Sequence, residues 1–160
     1  MTGSVNNTGL AARPDLVVAV ERLGASGPLR WDRDVAVDTE VVRVREPGLR
    51  DGIRARAVLR EQSDDPGRLL VAIEVDALVA DDAATARAEL LRLGESLDGS
   101  DTLRYVGTVN GLLTLVLDLY TAGVADAVIV HPIDGDPTVA RIADDVVPLL
   151  HQRMAAAGAA

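Results

Sequence analysis

The stretch Thr121-Ala122-Gly123-Val124-Ala125-Asp126-Ala127-Val128-Ile129-Val130-His131-Pro132, with the run Asp136–Arg153 behind it, decides the fold. Ala127–Val130 is a short apolar run of small and β-branched residues, which reads as a buried strand. His131-Pro132 ends it. Asp136 is placed to cap a helix and Pro137 to open it, because the first helical turn has N–H groups without partners and proline has none to leave unpaired. That helix, Pro137–Arg153, brings Ile142, Val146, Leu149 and Leu150 to one side, and Pro148 is expected to bend it. A buried strand followed by an amphipathic helix is the repeating unit of an α/β protein.

The unit recurs toward the N-terminus. Thr108 can cap a helix over Val109–Ala122 that closes at Gly123. Leu112, Leu113, Leu115, Val116, Leu117 and Leu119 cover most of its circumference, so it is expected to be buried on more than one side. Leu69–Val79 alternates as a long strand and places Glu74 and Asp76 on one face. Asp81 or Asp82 can cap the helix Ala83–Leu97 behind it. Glu40–Arg45 is a further strand, followed through Pro47 by a helix over Leu49–Glu61. Asp15–Val20 opens the series, Gly24–Pro28 reads as a turn, and Trp31–Val37 reads as a short helix. Asp98–Asp101 reads as a polar break. Four strands alternating with helices imply a parallel sheet, either a small open one or half of a (βα)8 TIM-type barrel. Residues 1–12 read as a loose polar arm, 13–153 as a single α/β half-barrel domain, and 154–160 as a frayed Ala-rich tail.

Composition excludes several functions. The chain of 160 residues has a net charge of −9, and all its basic residues are arginine, so a phosphate backbone would repel it and nucleic acid is not an expected partner. It has no cysteine, hence no disulfide and no thiolate metal site. His131 and His151 are the only imidazoles, and two histidines so spaced do not make a ligand set, so no metal is expected. Residues 1–10 are too polar for a signal peptide and no apolar run is long enough to span a membrane, which makes the cytoplasm the expected compartment.

In their order and spacing these segments resemble luciferase-like flavin-dependent monooxygenases, over roughly Arg13–Arg153. Tyr105-Val106-Gly107-Thr108 resembles the family's Gly-Thr helix opening. Residues 121–132 resemble its last strand, and Val146-Val147-Pro148-Leu149 with Arg153 resembles the V-V-P-x-L-x-x-R of its final helix. Val41–Glu46 with Pro47 resembles the sixth barrel strand, Leu69–Ala80 the seventh, and Gly24-Ala25-Ser26 the G-x-S turn after the fifth. The resemblance implies the C-terminal half of a barrel, flavin-dependent oxidation, and FMN or the deazaflavin F420 as cofactor. It also implies a homodimer, or a partner supplying the other half, because the first four strand–helix units are missing and a half barrel leaves open sheet edges. The alternative is a non-catalytic half-barrel subunit that serves dimerisation or assembly.

Barrel sites lie at the C-terminal ends of strands, which selects Glu21, Arg22, Arg45, Glu46, Asp76 and His131. Gly24, Ala25, Ser26 and Gly27 can cradle a phosphate, since small residues let backbone N–H groups approach an anion; a Gly-Ser turn is also an ordinary turn. Arg22 beside it can pair with phosphate or with a carboxylate. His131 is the acid–base candidate, because imidazole is the side chain that ordinarily titrates nearest neutral pH. It is equally a strand-end histidine bonded to backbone. Glu74, Asp76 and Arg45 read as a buried ion network, and Trp31 as core or interface packing.

Overall fold

The computed structural model describes residues 13–96 and 100–158. Its axis is β3, Leu69–Val79, whose branched side chains are buried on both faces except at Asp76, as befits a strand with neighbours on either side. β5 (Ala127–Pro132) pairs with residues 72–77 along one edge. Two strands share the other edge: β2 (Glu40–Val44) pairs with residues 69–73 and β4 (Leu103–Gly107) with residues 75–79. β1 (Val17–Val20) pairs with the far side of β5. All these pairings are parallel, and the order is β1-β5-β3-β2. With helices between the strands this is an α/β fold, consistent with half of a (βα)8 barrel.

The helices follow the expected segments, except that the one expected over Ala83–Leu97 stops at Arg92, with Gly94 at φ +72 just beyond it. α1 is Leu49–Gln62, α2 Ala83–Arg92 and α3 Val109–Thr121. Asp82, not Asp81, caps α2 by accepting from the Thr85 N–H, and Thr108 caps α3 by accepting from Gly111. Gly123 stops α3 at φ +75, a conformation that side chains with a Cβ disfavour. α4 spans Asp136–Arg141 and α5 Val147–Gly158, so helix continues into the residues expected to fray. A π-helical turn, Ile142–Val146, joins them. It lies just ahead of Pro148, whose missing N–H and bulky ring disrupt regular α-helical bonding in that turn.

One face of the sheet carries the main core. Val18, Ile73, Val75, Val128 and Val130 meet Leu112, Leu113, Val116 and Leu119 of α3 and Ile142, Val146 and Leu150 of the last helical run. The greasy helix is therefore buried inside the chain. α1 packs on the same face over Val44, Leu69 and Val71. Gly52 lets it come close: a Cβ there would lie 2.7 Å from Val124 Cγ1. On the other face Leu29, Trp31 and Val35 lie over Val17, Leu70, Ala72 and Ile129, and α2 covers Leu78.

Four expectations change. Trp31–Val37 forms no helix; Trp31 makes an antiparallel bridge to Ala19, and Asp32 exchanges hydrogen bonds with the Val18 backbone. The segment is held by that strand edge rather than by its own periodicity. β4 stands where no strand was expected, because four half-buried residues and a buried glycine carry little alternation of their own. Gly135, at φ +74, takes the cap position expected of Asp136, whose side chain turns to Arg22. β1 lies beside β5, the neighbour of a barrel's first strand, and not beside β2 as a fifth strand would. No helix links β1 to β2, so no right-handed βαβ crossover ties them side by side. Instead Arg13 reaches across to Asp126 and the Ala125 carbonyl at the start of β5.

Candidate functional site

The second face of the sheet changes character toward the strand ends. Along β3 it runs Leu70, Ala72, Glu74, Asp76, so apolar residues give way to carboxylates. β2 contributes Arg43, with Arg45 just past its end, β5 contributes His131, and Glu21 extends β1 by donating its N–H to the Val130 carbonyl. Strand register alone brings these side chains together.

Glu74 is the centre, only 3% exposed. Oε1 accepts from Arg43 Nη2 at 2.5 Å and lies 2.8 Å from His131 Nε2; Oε2 accepts from Arg45 Nε at 2.7 Å. Arg43 also grips both oxygens of Glu21, at 2.6 and 3.0 Å, and His131 Nδ1 lies 3.3 Å from the Glu21 carbonyl. Alongside, Asp76 accepts from Thr102 Oγ1 at 3.0 Å and from Arg104 at 3.4 Å. Burial pushes the Glu74 carboxyl up, but hydrogen bonds from Arg45, Arg43 and His131 together outweigh it and hold the group at about 2. The Arg43 contact keeps Glu21 below the usual carboxylate range, and Arg43 itself is raised by Glu21 and Glu74. Three carboxylates face three guanidinium groups, so the cluster is close to neutral.

A cleft of about 280 Å3 opens beside this cluster, lined by Leu23, Arg45, Asp76, Arg104, His131 and Ile133 among others. Arg45 uses Nε on Glu74 and keeps 56% of its side chain exposed. The ligand atoms of Glu21, Glu74 and His131 lie within 4.8 Å of one another. A cation would have to compete there with Arg43 and Arg45, which already hold the carboxylate oxygens.

Of the residues singled out from sequence, His131, Glu21, Arg45, Glu74 and Asp76 converge, and the expected pairing of Glu74 with Arg45 is present. Arg22 pairs with Asp136 at the surface. The Gly24–Gly27 turn is exposed and follows β1 at the same end of the sheet; Ala25 closes it by donating to the Arg22 carbonyl at 3.0 Å, and Gly24 and Gly27 take φ of +76 and +101. A Cβ at either glycine would meet nothing within 4 Å, so the backbone angle, not a close neighbour, calls for glycine. Arg43, Arg104 and Thr102 were missed. Arg43 could have been found by its parity with Arg45 on β2; the other two needed β4.

No protein-family model matches the chain, and no curated protein matches it. Among solved structures it is similar to EDTA monooxygenase from Chelativorans sp. BNC1, with a TM-score of 0.59 at 16% identity. The likeness covers 71% of this chain and 40% of that protein. It supports the luciferase-like resemblance at the level of fold. Among the described residues no helix is long and apolar enough to cross a membrane.

Proposed function

We propose that this chain is related to luciferase-like flavin-dependent oxidoreductases and holds the anionic end of FMN or deazaflavin F420 at its strand ends. The observation that carries the reading is the cleft at the C-terminal ends of parallel strands, with the half-exposed guanidinium of Arg45 on its wall and His131 at its base. Arg45, the Ser26 hydroxyl and the N–H groups of Ser26 and Gly27 in the turn are donors suited to a phosphate, while the Ala25 N–H stays on the Arg22 carbonyl. Arg22 can join them by leaving Asp136, since an ion pair this exposed is worth under about 1 kcal/mol. The cleft is a little smaller than the roughly 300–1,000 Å3 of sites that enclose drug-sized ligands, so it suits a phosphate tail and leaves the ring for a second wall. A bound flavin would supply the redox chemistry. His131, held between Glu74 and the Glu21 carbonyl, would orient its neighbours; moving a proton through it requires one of those two contacts to open.

The test is titration of FMN and F420 followed by fluorescence. Saturable binding is expected, weakened roughly 10-fold or more by Arg45→Ala, the loss of one charge-assisted contact. Absence of saturable binding of either cofactor to the chain would remove this reading. A second reading, a non-catalytic half-barrel subunit, is favoured by one observation: both oxygens of Glu74 and both nitrogens of His131 already have partners inside the cluster. It predicts an unchanged fold and no cofactor binding.

A further inference from the structure

The two ends of the sheet are not equivalent. At the β1 end, the Asp32 N–H donates to the Val18 carbonyl at 2.9 Å and Asp32 Oδ1 accepts from the Val18 N–H at 2.6 Å. That edge is covered by the chain itself, so closure of an eight-stranded barrel by a second copy would have to strip it. At the other end β2 pairs with β3 on one side only, and β4 lies on that same side of β3; among the described residues nothing pairs with β2 beyond it. An open strand edge presents backbone donors and acceptors to any strand that can reach them.

The flank of this edge is apolar as well. A groove of about 600 Å3 runs between β2 and α1, walled by Val42, Val44, Ala55, Val58 and Leu59. Val58, 48% exposed, is the large apolar residue that α1 presents openly on this groove. The rim carries both signs of charge, with Arg43, Arg45 and Arg54 beside Glu46 and Asp51. A surface that meets a copy of itself must supply both signs from one patch, whereas a surface for a strongly charged partner would carry one.

We propose that the β2 edge and the exposed side of α1 form a self-association surface. Two copies pair β2 to β2 in antiparallel fashion about a two-fold axis, which joins two four-strand rows into one open sheet and lays α1 against its counterpart. The partner is a second copy of this chain, and the inference does not depend on cofactor binding.

The chain has no cysteine, so a single introduced one reports its own contacts. In sedimentation the full chain is expected at twice 16.8 kDa. The double substitution Arg54→Glu with Val58→Glu, at exposed positions on the groove, should shift it to monomer with its circular dichroism and thermal midpoint retained. Val42→Cys should cross-link as a disulfide dimer under mild oxidation, and Leu91→Cys, exposed on α2 over the other face of the sheet, should not. A chain that stays monomeric at its highest soluble concentration overturns the proposal. So does a dimer that survives the double substitution and fails to cross-link through Val42→Cys, since its interface then lies elsewhere.

Discussion

Replacing Glu74 by glutamine keeps the size of the side chain and removes its charge, which imitates the protonated acid. Three cationic or donor groups converge on that carboxylate, and they hold its pKa at about 2 against an ordinary 4.5. Each unit of depression corresponds to about 1.4 kcal/mol, so the ionised group contributes on the order of 3 kcal/mol at neutral pH. The sign follows from the direction of the shift. A depressed carboxyl stabilises the fold above its unfolded value, and the contribution fades as pH falls through 4.5 toward about 2. Glu74→Gln should therefore cost about 3 kcal/mol near pH 7 and about half of that or less near pH 3. Urea unfolding followed through Trp31, the only tryptophan, measures both. With a slope near 2 kcal/mol/M, the midpoint should drop by roughly 1.5 M at neutral pH. If variant and parent differ by less than about 0.5 kcal/mol near pH 7, or by the same amount at both pH values, the carboxylate is not the charge that ties β2 to β3 and β5.

Asp126→Asn should cost roughly 3–5 kcal/mol, because Asp126 is fully buried and accepts from Arg13, Arg56 and the Val71 N–H. Faster hydrogen exchange at the Val71 amide would locate the loss. Thr138→Val should cost about 1–3 kcal/mol, since it strands the buried Val79 N–H that now donates to Thr138 Oγ1 at 3.0 Å; chemical denaturation reads it. Gly111→Ala should destabilise by about 1–3 kcal/mol despite alanine's better helix propensity, because the added Cβ would sit 1.9 Å from Tyr105 Oη; a thermal melt shows the direction.

Local features were readable wherever one segment contained its own reason. β3 runs over Leu69–Val79 as the alternation indicates, and Asp82 and Thr108 cap their helices because a capping side chain reaches only three residues onward. The site was half readable. His131, Arg45 and Asp76 stand at strand ends, and the α/β order says that strand ends converge. That Glu74 is the hub, with Arg43 joining it to Glu21, follows from the register of β2, β5 and β1 against β3, which no single segment encodes.

Sequence by itself settled the class of the fold, since the switch between two-residue and 3.6-residue periods is a local property and the alternation of such segments constrains how they can layer. Tertiary structure decided which strand lies beside which. It set β1 against β5, placed β4 on the outer half of β3, and took residues 31–37 out of any helix, with Trp31 and Asp32 on one edge, while leaving β2 open. Backbone pairing between strands is nearly blind to side-chain identity, so several orders satisfy the same periodicity. Part-buried contacts between separate segments, such as Arg13 with Asp126 and Asp32 with Val18, make one of them lowest in free energy.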